Sequence, residues 1–418
     1  MTTDPRPAIL PPAIVVGLDN MTGLQAARIL ARHGIPVIAF AGDRDHPSCR
    51  TNVLQALVTA DLDSAAFVAA LEEMGPTFDE KPVLFPCSDQ TVRHISAERE
   101  RLLPYYRMVL PDKDVVEMLM DKNRFAAYAA ENGFRVPAMR LLASRADAAG
   151  AAQELTFPAI LKPAVKAPDW MSRTGDKVHQ VESGKDLLAL YDRVYRYADL
   201  LLVQEWVPGP DANLYSLNCY FSQTGDPLVT FVARKLRQWP PQAGTSCLGE
   251  EVRNEEVLEE SLRFFAGAGY RGLGYMEMKR HARTGEHYMI EPNIGRPTGR
   301  SAISEAGGVP LLYTMYCDAV GLPLPEPREQ RYGGVKWIYL RRDLQSALYY
   351  WRRGELTFAQ WRESIRGRKG YAVYDPADMR PFFADLGSSL GKGARSLARK
   401  LARRLPFAGA STPAAARR

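Results

Sequence analysis

Two glutamates and an asparagine, two-thirds of the way along the chain, carry the clearest chemistry. GLGYMEMKR (272–280) and HYMIEPN (287–293) read as antiparallel strands around the polar loop ARTGE. With the turn centred on Thr284, Glu277 falls opposite Glu291, and Asn293 shares the face of Glu291. Met276, Met278, Ile290 and Pro292 take the other face, where they can pack. Directly opposed carboxylates repel and destabilise a hairpin, so something must compensate. Two Glu and one Asn are hard oxygen donors suited to Mg²⁺, with Mn²⁺ as the alternative and substrate phosphates completing the shell. A solvated hairpin face with ion pairs to Lys279 or Arg280 is the competing account. One residue of slip would part the three groups.

Other candidates for ligand contact are scattered. Lys122 stands at a helix start and Lys162 ends the strand FPAILKP; alone, each is more often a surface lysine. The segment Gln204-Glu205-Trp206-Val207-Pro208-Gly209-Pro210-Asp211 joins a strand end to a tight turn and an acid. Its backbone edge can offer N–H and C=O groups to a purine, and the acid can accept from ribose hydroxyls. A plain hairpin turn accounts for the same residues. Arg296 and Arg300 suit a carboxylate.

These residues need a scaffold. AIVVG, TGLQAARILARHG and IPVIAF read as strand, helix and strand, which implies a parallel sheet with a right-handed crossover. PVLFPC reads as a further strand ending at Ser88 and Asp89. Open α/β sheets bind ligands beyond the C-terminal ends of their strands. Asp19, Asn20, Ser88 and Asp89 are therefore substrate candidates, the acids suited to an amino group; helix capping is an equal role for Asp89. Pro111 and Asp112 start a helix, and Asp121 caps another running to Asn132-Gly133. RVPAMRLL, TFPAILKPA and LLVQEWVPG read as strands, and NLYSLNCYF with PLVTFVARKL as a hairpin. A helix covers 255–269. From about 326 the chain becomes rich in Trp, Tyr and Arg and reads as mainly helical.

Composition narrows the class. The 418 residues are 46% hydrophobic and 24% charged, enough for two or three cored units without disulfides, which excludes disordered, coiled-coil and collagen-like chains. No apolar run is long enough to span a bilayer, and MTTDPRPAIL lacks the basic region of a signal peptide. The five cysteines form no CxxC pair and read as reduced cytoplasmic thiols; the six histidines form no zinc pattern. The turn GLDNMTG matches neither GxGxxG nor GxxxxGK. Eight basic residues and no acid follow Asp385, so of the net +6 the rest of the chain carries −2, and nucleic acid is not an expected partner. Leu390, Ala394, Leu397, Leu401 and Leu405 recur at helical spacing in this basic tail. That suits an amphipathic helix on anionic lipid, with a solvated, frayed terminus as the alternative.

Taken in order, Lys122, Lys162, QEWVPGPD, RKLRQWPPQAGTS, GLGYMEMK and EPNIGRPTGRS resemble the ATP-grasp superfamily over most of residues 10–325. Within it the resemblance is to carboxylate–amine ligases, D-aspartate ligase-like and carbamoyl phosphate synthetase-like proteins. It implies an α/β and α+β fold: an N-terminal parallel α/β sheet domain (1–110), then a two-subdomain ATP-grasp fold (111–325) with a lid at about 122–200 and a metal-bearing part at about 201–325. A mainly helical C-terminal extension (326–385) and the basic tail (386–418) follow.

The resemblance also implies roles. Lys122 and Lys162 would hold the ATP phosphates. Glu205 and Val207 would receive adenine, with Gln204 at its amino edge, and Asp211 would hold the ribose. Glu277, Glu291 and Asn293 would bind the metal. Arg296 lies near the arginine that steadies an acyl phosphate; Arg300 is its rival, because Arg296 follows the Asn by three residues where two is common. Lys235 and Arg237 would add positive charge around the phosphates. The loop VKAPDWMSRTGDKVHQ holds one glycine, Gly175, where the family is glycine-rich, so closure would rest on Lys166, Ser172 or Arg173. The implied reaction is ATP-dependent amide formation through an acyl phosphate, on a small acid and amine of the amino-acid, peptide or cell-envelope-precursor kind. It would run in the cytoplasm, at the inner face of the membrane if the tail binds lipid, and a homodimer is compatible. A small-molecule kinase and a nucleotide-binding scaffold without turnover are the rival classes.

Overall fold

The computed structural model describes residues 10–164, 167, 169–241, 244–389 and 391. The expectations for Lys166 and for a tail helix through Leu390 to Leu405 lie outside the described residues.

Strands β1 (Ala13–Val16), β2 (Val37–Ala41), β3 (Ala56–Thr59) and β4 (Val83–Pro86) form a parallel sheet in the order β3-β2-β1-β4. β1 and β4, AIVV and VLFP, are wholly buried, as strands covered on both faces must be. The helix Met21–Arg32 starts on Asn20, whose side chain accepts from the Gly23 amide at 2.9 Å. A Cβ at Gly23 would lie 2.1 Å from the Gly17 carbonyl oxygen, so only glycine lets the helix begin this close to the β1 turn.

Strands β5 (Met139–Leu142), β6 (Ala159–Pro163), β7 (His179–Val181) and β8 (Leu201–Glu205) form a small antiparallel sheet in the order β5-β8-β6-β7. With helices Arg145–Glu154 and Gly184–Val194 it closes a core of its own around Leu161, Trp170, Leu187 and Val203.

Strands β9 (Leu214–Phe221), β10 (Pro227–Trp239), β11 (Thr245–Glu251), β12 (Gly272–Arg280), β13 (His287–Ile294), β14 (Lys336–Ile338) and β15 (Lys369–Tyr371) make the large sheet, ordered β13-β12-β9-β10-β11-β14-β15. This sheet shares two apolar cores with the first. Val15, Leu30, Phe231 and Trp337 meet in one, and Ile14, Phe40, Phe265 and Met276 in the other. The first and large sheets are joined through these shared cores, whereas the small sheet packs on a core of its own.

The extension is helical at Leu340–Arg352, Phe358–Ser364 and 380–389. Sequence reading missed β14 and β15, because three residues carry too little alternation to register as a strand. A buried ion pair straps the extension to the first sheet's helix: Arg28 Nε donates to Asp378 at 2.9 Å.

Candidate active site

The β12–β13 hairpin has the expected register at one end only. Tyr275 pairs with Asn293 and Glu277 with Glu291. A bulge then shifts the partners to Met278 and Met289. Met276 and Met278 are buried as expected, but Ile290 is the extra residue of the bulge and lines the cleft instead of packing on the opposite face.

That cleft, of about 470 Å³, is bounded by the small and the large sheets. β6 and β8 supply Ile160, Lys162, Gln204 and Glu205, followed by Trp206 and Val207; β10 supplies Lys235. β12 supplies Tyr275, Glu277 and Lys279, one face of one strand, and β13 supplies Glu291 and Asn293. Lys122 and Lys177 reach in from elsewhere, and the turn after β13 adds Arg296 and Arg300.

Positive charge dominates and is poorly hydrated. Lys162 Nζ donates to Gln204 Oε1 at 3.2 Å. Burial, helped by Lys122, pulls its pKa down to about 8 against the opposing pull of Glu291. Lys279 Nζ sits 3.9 Å from the centre of the Trp206 ring, and burial likewise lowers its pKa to about 8, against the pull of Asp211. Burial pushes Glu277 upward, yet Lys235 at 3.2 Å and Arg300 at 3.9 Å more than offset this and hold its carboxyl below the usual range.

The two arginines differ. Arg296 Nε donates to Asp89 and its Nη2 to Asn293 Oδ1, both at 2.7 Å, so it links the helix Asp89–Ala97, which follows β4, to β13. Arg300 is 3% exposed; its Nη2 donates to Ser216 Oγ at 3.0 Å and to the Tyr275 hydroxyl. Its Nε and Nη1 have no hydrogen-bond partner among the described residues. A buried guanidinium at a cleft with three N–H groups unpaired, on two of its nitrogens, suits an anion. Beside the cleft, a second cavity of about 350 Å³ shares Lys177, Gly244 and Thr245 with it and adds Arg341 and Arg342 from the extension.

Of the sequence-predicted residues, Lys122, Lys162, Gln204, Glu205, Val207, Lys235, Glu277, Glu291, Asn293, Arg296 and Arg300 line this one cleft. Others stand outside its lining. Arg237 is held by both oxygens of Asp343, at 2.8 and 3.1 Å, and by Ser364. The reason is a β10 bulge at Leu236, which separates it from the face of Lys235. Asp211 accepts from Gln238 at 2.7 Å and Tyr350 at 2.9 Å, so both its oxygens are engaged. Asp19 accepts from the amides of Gly42 and Asp43, Asn20 and Ser88 cap helices, and Asp89 reaches the site only through Arg296. Sequence reasoning missed Lys177 and Tyr275, and treated Lys279 only as an ion-pair partner. Period-two spacing from Glu277 was the available signal for both Tyr275 and Lys279.

Two carboxylates and an amide oxygen on facing strands fit Mg²⁺ or Mn²⁺ in donor chemistry. Among the described residues no group of three His, Cys, Asp or Glu could hold a metal unaided. The amide and substrate oxygens would have to complete such a shell.

No protein-family model matches the chain. It is 24% identical over 305 residues to the D-aspartate ligase of Enterococcus faecium, across 69% of this chain and 72% of that one. It is 26% identical over 180 residues to the D-alanine–D-alanine ligase of Pseudomonas entomophila, across 42% of this chain and 54% of the relative, about half its length. Among solved structures, the ADP complex of N5-carboxyaminoimidazole ribonucleotide synthetase matches with a TM-score of 0.63 at 17% identity, covering 82% and 86% of the two chains. The biotin carboxylase domain of Hydrogenobacter thermophilus 2-oxoglutarate carboxylase, in complex with MgADP and bicarbonate, matches with a TM-score of 0.60 at 16% identity, covering 77% and 72%. The fold is that of the ATP-grasp proteins. In sequence and fold the chain is similar to ATP-grasp carboxylate–amine ligases, enzymes that form carbon–nitrogen bonds.

Proposed function

We propose that this protein uses ATP to join a small carboxylic acid to an amine, releasing ADP and phosphate. The observation that carries this reading is the cleft itself: opposed Glu277 and Glu291, with Asn293, share it with Lys162, Lys235, Lys279 and the half-satisfied Arg300. The apolar edge of Ile160, Trp206, Val207 and Ile290 suits a purine, with Gln204 at its amino group. Lys122, Lys162 and Lys235 hold the phosphates. Glu277, Glu291 and Asn293 would hold Mg²⁺ or Mn²⁺, which when bound neutralises phosphate charge during transfer.

Arg300 holds the acid so that one carboxylate oxygen faces the terminal phosphorus. A P–O bond forms to the acid as the bond to ADP breaks, giving an acyl phosphate. The amine nitrogen then attacks the carbonyl carbon, loses a proton, and phosphate leaves with the C–O bond electrons. The small sheet, closing as a lid, excludes water that would hydrolyse the acyl phosphate. No covalent enzyme intermediate forms. The relatives named D-aspartate ligase and D-alanine–D-alanine ligase support an amino acid as substrate; a peptide or cell-envelope precursor, handled in the cytoplasm, is compatible with the same chemistry.

A phosphate-release screen of acid and amine pairs with ATP and Mg²⁺ tests the reading. Release of ADP and phosphate only when both substrates are present is expected. A stable phosphorylated acid formed without amine would point to a kinase, and no turnover with any pair would favour a scaffold.

A further inference from the structure

The helix Leu340–Arg352 carries an apolar row on the wrong side for a core. Leu340, Leu344, Leu348 and Trp351 recur along one face and are 36%, 47%, 43% and 60% exposed. Its inner face is satisfied separately, by buried Asp343, Ser346 and Ala347. Phe358, 68% exposed, extends the row onto the next helix, and Leu356 and Trp361 help floor a shallow groove of about 320 Å³. Arg352, Arg353, Arg362, Arg366 and Arg368, on the same two helices and the turns that follow them, are exposed, with Arg353 paired to Glu355 and Arg366 to Glu363. Residues 340–369 hold seven Arg and one Lys against Asp343, Glu355 and Glu363, a net charge of +5.

We propose that this face docks on an anionic lipid bilayer. Leu344, Leu348, Trp351 and Phe358 enter the headgroup–acyl boundary, and the arginines meet lipid phosphates while their stems lie along the apolar surface. Among the described residues no helix is long and apolar enough to cross a membrane, so the contact lies in the interface plane. Charge selects this occupant. A second copy would bring the same net positive charge against itself. The chain's own tail, with eight basic residues and no acid after Asp385, would be repelled from this charge and drawn to the same lipid.

The test is sedimentation of the full-length protein with vesicles of phosphatidylcholine alone or mixed with phosphatidylglycerol. The wild type is expected to pellet with the mixed vesicles and stay in solution with the neutral ones. Leu344→Gln/Leu348→Gln/Trp351→Gln should lower partitioning roughly tenfold, with melting temperature and light-scattering mass unchanged. Should that variant not fold, Trp351→Phe serves instead: brominated acyl chains quench the wild type and quench this variant less. Equal pelleting of wild type and triple variant would overturn the proposal and assign binding to the tail. Failure of the wild type to pellet would also overturn it, and so would a wild-type dimer that the variant converts to monomer.

Discussion

Lys235 Nζ lies 3.2 Å from Glu277 Oε2, both side chains largely buried, at the point where Glu277 faces Glu291 across the hairpin. This contact answers the repulsion that two opposed carboxylates create. A cation from β10 neutralises one of them in the protein itself, and Glu291 remains exposed and available.

Glu277→Gln strands the Lys235 charge without its partner and should cost about 3 kcal/mol of folding stability. Glu291→Gln, at an exposed position, should change it by less than about 0.5 kcal/mol. Urea unfolding of the two variants checks the difference; equal destabilisation would contradict the pairing. The depressed Glu277 pKa also fixes a sign. Its stabilising contribution is present above the unfolded-state carboxylate pKa and is lost as pH falls through the lower folded value.

Lys162 and Lys279 titrate near 8 because burial disfavours their charged forms. A phosphate anion favours those forms, so nucleotide binding above about pH 8 should take up protons, and affinity should fall as pH rises through that value. Calorimetry in buffers of different ionisation enthalpy measures the uptake. Lys162→Arg, charged throughout, should reduce it; affinity rising with pH would contradict the assignment.

Arg300 owes its position to a glycine opposite. A Cβ at Gly249 would stand 2.9 Å from Arg300 Cδ. Gly249→Ala should therefore displace the guanidinium and raise KM for the acid roughly tenfold, leaving KM for ATP nearly unchanged. An effect on ATP alone would place Arg300 on the nucleotide side.

Arg237 and Asp343 form a buried pair outside the cleft. Asp343→Asn should cost about 3 kcal/mol in stability without weakening nucleotide binding. A matched loss of affinity would return Arg237 to the phosphate site.

How far the sequence could be read follows from the range of each signal. The β1–helix–β2 unit and the Glu277–Glu291 register were legible because alternation, helical period and turn position are local. The fates of Arg237 and Ile290 were not: one extra residue in a strand flips every side chain beyond it, and nothing in the local pattern marks a bulge. Asp211 looked free because its partner Tyr350 lies 139 residues away. Asp19, Asn20 and Ser88 sit where ligand contacts are expected in open sheets, but their short polar side chains are used to close turns and start helices.

The most direct test of the central claim is nucleotide affinity with and without Mg²⁺, in wild type and Glu291→Gln. Wild-type affinity should rise on adding Mg²⁺, and the variant should lose most of that gain while still folding. Nucleotide affinity indifferent to Mg²⁺, or a variant that keeps the full gain, would contradict a metal-assisted ATP site between β12 and β13.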